Sequence, residues 1–296
     1  MDMENMKNRL SELPNLQYSD HESMAEHTSF RIGGRAALMV FPATTEELCA
    51  CVSILEQPLI LGAGTNVLAP DEELQRPVIC MKERMNGLRR LPGDRIEADA
   101  GVSLARLATF AKEQGLTGLE FAHGIPGTVG GGVYMNAGAY GGEVCQVAES
   151  VTILLDGALQ TVAVDHDTFG YRTSRFEREG LVIVRAVFRL QQGDPETIGR
   201  TMRELMERRK QSQPLELPSA GSTFKRPVGG YAAALIDEAG LKGLTVGGAQ
   251  VSKKHAGFVV NIGGATSADV KQLISDIQQK VKENSGILLE PEVRIW

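Results

Sequence analysis

The residues best suited to chemistry lie in short glycine-rich strings with polar side chains spaced along them. In the first, Gly62, Ala63, Gly64, Thr65, Asn66 and Val67 follow a short apolar run from Pro58 to Leu61. Glycines directly after a strand let the chain turn tightly, so that successive N–H groups converge on phosphate oxygens, with Thr65 and Asn66 adding side-chain hydrogen bonds. Position 67 is valine, so the last glycine of the G-x-G-x-x-G dinucleotide fingerprint is missing and a conventional Rossmann site is not expected. On spacing alone, a tight packing turn stands beside phosphate binding.

The second string runs through His123, Gly124, Ile125, Pro126, Gly127, Thr128, Gly130 and Gly131, and continues into Tyr134, Asn136 and Gly138. Few large side chains occupy it, so it cannot build a core alone, and its glycines cost backbone entropy unless a ligand or a close neighbour holds them. A close-packed crossover between domains is the plain reading. Two such loops in one chain favour enclosure of a large phosphate-bearing cofactor.

Three further groups carry polar chemistry. Ser222 follows Gly221, with Lys225 and Arg226 just beyond it. There is no G-x-S-x-G elbow for a hydrolase nucleophile, so Ser222 reads either as a loop hydroxyl or as a ligand contact. Arg172, in Phe169-Gly-Tyr-Arg-Thr-Ser174, offers a planar donor fork for a carboxylate. Near the C-terminus Glu292, with Glu290 as its near competitor, could donate a hydrogen bond as an acid if burial raised its pKa. A surface arginine and an edge-strand glutamate are the plain alternatives. The five histidines have no ligand spacing, and no zinc, Walker A or calcium-loop signature occurs, so no metal is expected.

The elements that must position these groups show in the periodicity. Strands are predicted over 37–41, 58–61, 78–81, 96–100, 151–155, 160–164, 181–190 and 258–262, with 287–296 as a terminal strand. Asp156-Gly157 supplies a hairpin turn. Helices are predicted from Thr45 as cap, over 103–113, 196–211 and 231–239, and from Ser267 to about Glu283. The unit to about residue 90 reads as a small β-α-β domain. Expected boundaries are a polar leader at 1–29, helical at its start, subdomains at 30–94 and 95–195, a connecting helix and linker at 196–218, and a last domain at 219–296.

With 296 residues, two or three packed units are expected, with enough core to need no disulfide or structural metal. Glycine, at 33 residues, is well above ordinary usage without a collagen period. A formal charge of −6 gives no general support for nucleic acid or anionic membranes as partners. The four cysteines lack C-x-x-C spacing and read as reduced thiols, the N-terminus lacks a signal peptide, and no apolar stretch is long enough to span a membrane. A cytoplasmic protein with no obligate protein partner is expected.

In order along the chain, LGAGTNVL, GIPGTVGG with YMNAGAYGG, FGYRTS, GSTFKRP, HAGFVVN and LEPEVR form a combination that resembles the UDP-N-acetylenolpyruvoylglucosamine reductases. The resemblance runs from Phe30 to Arg294. It implies an α+β fold: a two-part FAD-binding region of the PCMH or vanillyl-alcohol-oxidase type, then a C-terminal α+β substrate-binding domain. It implies FAD as bound cofactor, NADPH as hydride donor, and reduction of the enolpyruvyl ether of a UDP-sugar to UDP-N-acetylmuramate for peptidoglycan synthesis. The family's catalytic arginine falls on Arg172, its general-acid serine on Ser222 and its glutamate on Glu292. The two glycine-rich strings become the FAD loops, while Tyr134, Lys225, Arg226, Lys254, His255 and Asn261 are candidates for substrate contact.

Two details refine the match. The connection from Arg172 to the strand near Leu181 is short, as in the family's shorter subclass without a tyrosine-bearing insertion. Ala234 stands where relatives often carry lysine, which weakens a phosphate role for that helix. An oxidase on the same FAD fold and a nucleotide-binding regulator without chemistry are the competing functions.

Overall fold

The computed structural model describes residues 3–82 and 84–296. The chain divides into two compact units built from interleaved segments: one takes residues up to Asp20, Leu38–Ala63 and Arg76–Arg208, the other His21–Ala37, Gly64–Gln75 and Arg209–Trp296. Strands Gln17–Ser23 and Arg35–Phe41 carry the chain across the divisions.

In the first unit, Leu59–Leu61 and the second half of Arg35–Phe41 pair parallel to Val78–Cys80, with helix Thr45–Ile54 between them in the chain. This is the expected β-α-β unit. Its helix is capped by Thr44, whose hydroxyl accepts from Glu47 N–H, rather than by Thr45. A five-stranded antiparallel sheet follows, in the spatial order Ala158–Ala163, Ala148–Leu155, Val182–Arg189, Arg95–Asp99, Leu88–Leu91. Its hairpin turns on Asp156 and Gly157, both at positive φ, as a two-residue turn of this hand requires.

Helix Leu104–Glu113 buries Leu104, Leu107, Ala108 and Ala111 on one face, the helical spacing read from the sequence. They join a core that includes Ile96, Ala98, Val151, Ile153, Val184 and Phe188. The N-terminal segment begins with the expected helix, Met3–Ser11, whose Met6 and Leu10, four residues apart, are buried in this same core. Two apolar positions suffice to dock a short helix and leave little periodicity to read.

The second unit has a four-stranded antiparallel sheet ordered Ser219–Ser222, Phe258–Asn261, Ala249–Val251, Thr245–Val246. Helix Ser267–Ser285 buries Val270, Leu273, Ile274, Ile277 and Val281, and Gly286 ends it in the left-handed conformation. Its first N–H groups are held by Asp71, whose carboxylate accepts from Ser267 at 2.7 Å and Ala268 at 3.0 Å.

The C-terminal stretch is not one strand. Only Arg294–Ile295 is regular, pairing parallel with Val67–Leu68, because Pro291 has no N–H to offer a ladder. Instead an isolated bridge joins Phe224 and Pro291.

Candidate active site

Ser222 ends the edge strand Ser219–Ser222. The ladder to Phe258–Asn261 slips between Ser219 and Ser222, with Gly221 at φ +77°, and a bulge of this kind re-aims the side chain that follows it. Ser222 is exposed. The next residue, Thr223, is buried and fixed on three sides: its N–H donates to Gly257 at 2.9 Å, its hydroxyl accepts from Val259 N–H at 3.0 Å, and its carbonyl accepts from Glu292 N–H at 2.8 Å. Lys225 N–H donates to the Glu290 carbonyl at 2.8 Å. The serine segment and the glutamate segment are thus stitched side by side, although 70 positions separate Ser222 from Glu292 (292 − 222).

Asn66 completes this arrangement. Its amide donates to the Glu292 carbonyl at 3.1 Å, and its own carbonyl accepts from Arg294 N–H at 2.9 Å. Gly64, two residues earlier, has φ +61° and lies so close to the His27 carbonyl that a Cβ would collide with it. Gly64, Thr65, Asn66 and Val67 therefore belong with the glutamate segment, in the second unit.

The basic candidates share that unit. Lys225 pairs with Glu290 at 2.5 Å. Arg226 lies over the exposed Tyr231 ring, 4.0 Å from its centre, and donates to the Gly230 carbonyl. Lys254 donates to the Lys210 carbonyl at 2.6 Å. His255 accepts from Gly257 N–H on Nδ1, which leaves the hydrogen of the neutral ring on Nε2, and its burial holds the pKa below the ordinary imidazole value. Asn261 is turned inward: buried, it donates to the Phe30 carbonyl and accepts from Gly263 and Ala265 N–H.

In the first unit, the two glycine-rich strings meet. A Cβ on Gly62 would overlap Thr128 Oγ1, so only glycine allows this approach. Thr128 caps helix Val129–Tyr134 by accepting from Gly131 N–H, and Gly130 lies close against Ala100. Gly127, at φ +145°, opens the turn after Pro126. Beside them, His123 Nδ1 is buried and has no hydrogen-bond partner among the described residues. Close-packed glycine backbone with one buried ring nitrogen left over suits a large polar cofactor, and on this ground the residues fit FAD.

Arg172 sits at the tip of a hairpin whose strands pair Phe169 with Ser174 and Gly170 with Thr173. Its φ of +53° is one that non-glycine residues seldom adopt. Its guanidinium donates to the Gly138 carbonyl at 3.1 Å and lies 5.6 Å from the Tyr171 ring centre. Tyr134 accepts from Ser174 Oγ on its carbonyl. Asn136 is buried, with its side chain committed to protein groups.

The sequence reading missed Thr223 and Glu143. Thr223 follows Ser222, and no local pattern marks it as the anchor of Glu292. Glu143 accepts from Asn136 and from Cys145. Among the described residues, no cluster of three or more histidine, cysteine, aspartate or glutamate side chains could hold a metal, and no helix is long and apolar enough to cross a membrane.

Known proteins match along nearly the whole chain. A family model described as the C-terminal domain of UDP-N-acetylenolpyruvoylglucosamine reductase matches residues 213–296, and one described as an FAD binding domain matches 36–162. The UDP-N-acetylenolpyruvoylglucosamine reductase of Thermotoga maritima is 46% identical over 278 residues, covering 93% of this chain and 97% of its own. That of Lactococcus lactis subsp. cremoris is 43% identical over 291 residues, 97% of each chain. Among solved structures, the reductase from Thermus caldophilus has a TM-score of 0.82 at 35% identity, covering 95% of this chain and 99% of that one. A berberine bridge enzyme, 14% identical with a TM-score of 0.51, covers 64% of this chain and 44% of its own, a likeness of fold alone.

The expected fold class therefore stands: an FAD-binding region of the PCMH or vanillyl-alcohol-oxidase type followed by a C-terminal α+β substrate-binding domain. Carrying both domains in order, and sharing close to half its residues with relatives matched end to end, the chain belongs to the UDP-N-acetylenolpyruvoylglucosamine reductase family.

Proposed function

We propose that this chain catalyses the NADPH-dependent reduction of UDP-N-acetylenolpyruvoylglucosamine to UDP-N-acetylmuramate, a step of peptidoglycan precursor synthesis. The observation that carries this reading, in a chain of this family, is the stitching of the Ser222 segment to the Glu292 segment through Thr223. FAD, when bound, would supply the hydride chemistry that couples oxidation of NADPH to hydride addition at the terminal carbon of the enolpyruvyl group. Residues 62–67, 123–128, Gly130 and Gly131 would hold it through backbone groups, with His123 Nδ1 as a side-chain partner.

Negative charge then builds on the adjacent carbon and its carboxylate. Arg172 offers a permanent cation with a planar donor fork, and Glu292 in its acid form donates a hydrogen bond; both favour the charged transition state over the neutral substrate. Ser222 delivers the proton to carbon. A hydroxyl is a weak acid, so the transfer requires a strongly basic carbon, and the exposure of Ser222 lets solvent replace the proton. Lys225, Arg226 and Lys254 supply positive charge for the diphosphate, Lys225 by exchanging Glu290 for a ligand oxygen. His255 offers Nε2–H to the UDP-sugar, and Tyr134 remains a candidate contact.

The test separates the half-reactions. Ser222→Ala is expected to leave flavin reduction by NADPH intact while slowing reoxidation by the enolpyruvyl substrate by about 10²-fold or more. Equal loss of both would remove Ser222 from the acid role.

A further inference from the structure

Asn136 is buried to 2% exposure and holds φ +45°, in a glycine-rich run where the sequence suggests a cofactor contact. Its donor capacity is already committed. One amide hydrogen goes to the Gly170 carbonyl at 3.0 Å, the other to Glu143 Oε2 at 3.1 Å, and the amide oxygen accepts from Cys145 N–H at 3.0 Å. A side-chain amide has two donor hydrogens and one oxygen, so no donor is left for a flavin.

These bonds lead to the arginine. Gly170 and Thr173 close the hairpin that leaves Tyr171 and Arg172 as its turn. Arg172 answers in the opposite direction, Nη2 donating to the Gly138 carbonyl at 3.1 Å, and Ser174 Oγ donates to the Tyr134 carbonyl at 2.7 Å. Three side-chain bonds thus lace 134–138 to 170–174, with the Asn136 amide buried among them. A Cβ on Gly138 would strike the Glu143 side chain and the Gly142 carbonyl, so glycine lets the chain that accepts from Arg172 pack closely against them. Both Asn136 and Arg172 occupy left-handed backbone conformations, which persist only where the surroundings over-determine them.

We infer that Asn136 is a positioning residue for Arg172: by clamping the Gly170 carbonyl it fixes the hairpin whose tip aims the guanidinium, and it does not bind the cofactor. This rests on the proposed role of Arg172 in reduction of the enolpyruvyl group. The variant Asn136→Asp keeps the shape and the acceptor for Cys145 but removes both donors and sets a carboxylate beside Glu143 and the Gly170 carbonyl.

In the FAD-loaded enzyme, Asn136→Asp is expected to retain stoichiometric FAD and to be reduced by NADPH at a rate within about twofold of wild type. Reoxidation by the enolpyruvyl substrate should slow by about 10- to 100-fold, the scale of a misplacement near 1 Å. Asn136→Ser, uncharged and smaller, should give the same split and replaces the aspartate variant if that one does not fold. Loss of FAD, or equal slowing of both half-reactions, in either soluble variant would overturn the inference. Arg172→Lys, measured alongside, separates the two claims. If it slows reoxidation while both Asn136 variants do not, the inference fails and the role of Arg172 stands; if it leaves reoxidation at the wild-type rate, the role of Arg172 falls and the inference with it.

Discussion

Glu292 donates its backbone N–H to the Thr223 carbonyl at 2.8 Å, and Asn66 donates its amide to the Glu292 carbonyl at 3.1 Å. The glutamate peptide is therefore fixed at both its N–H and its carbonyl, so the backbone that carries the side chain is held independently of the carboxyl chemistry. Glu292→Gln, which keeps the size and shape of the side chain, should accordingly fold as wild type, with a thermal midpoint within a few degrees. The amide is expected to keep a hydrogen-bond donor, so reoxidation by substrate should fall less in Glu292→Gln than in Glu292→Ala. Rapid-mixing absorbance of the reduced flavin measures both, and equal rates in the two variants would count against hydrogen-bond donation by Glu292.

Arg172 at φ +53° gives an unusual separation of stability from activity. Glycine relieves the left-handed strain, of order 1–2 kcal/mol, at a cost of about 0.5–1 kcal/mol in unfolded-chain entropy and one hydrogen bond to Gly138. Arg172→Gly should therefore change unfolding free energy by no more than about 1 kcal/mol while abolishing reduction of the enolpyruvyl group. Denaturant unfolding and single-turnover reoxidation check the two halves; a variant that unfolds readily would tie the arginine to stability instead.

Much of this was legible in the sequence, and for a physical reason. Helices such as Leu104–Glu113 announce themselves by apolar spacing, and the short strings that hold Arg172, Ser222 and Glu292 are local enough in the chain to carry the family resemblance. What stayed hidden depends on partners distant in the chain. Asp71 caps a helix 196 positions away, Asn66 holds Glu292 across 226, and Asn136 and Asn261, read as ligand contacts, spend their amides on carbonyls at Gly170 and Phe30. An asparagine in a glycine-rich loop looks alike from sequence whether it faces a ligand or a carbonyl. The C-terminal segment misled through Pro291, whose missing N–H breaks an otherwise alternating pattern.

The Asp71 cap is testable on its own. Asp71→Ala removes two charge-assisted bonds to Ser267 and Ala268 N–H at the start of helix Ser267–Ser285. A loss of about 1–2 kcal/mol in unfolding free energy is expected from the midpoint of a urea titration at unchanged slope. Asp71→Asn, which keeps one acceptor oxygen, should recover part of it.

His255 sets a pH dependence with a definite sign. Burial holds its folded pKa below the ordinary value near ~6.5, so the unfolded chain binds the proton more readily. Its contribution to stability is present above that ordinary value and is lost as pH falls toward the lowered folded pKa. His255→Asn, neutral throughout, should flatten this part of the stability profile, read from chemical denaturation between about pH 5 and 7. An unchanged slope would assign the dependence to another group.

The central claim is tested most directly by the visible spectrum of the FAD-loaded protein under anaerobic conditions, recorded before and after NADPH and then after UDP-N-acetylenolpyruvoylglucosamine. The account predicts oxidised-flavin absorbance, bleaching by NADPH, and full recovery of the oxidised spectrum on adding the UDP-sugar, with UDP-N-acetylmuramate formed in equal amount. A protein that cannot be loaded with FAD, or one whose bleached flavin is not reoxidised by the UDP-sugar and recovers only when air is admitted, would contradict it.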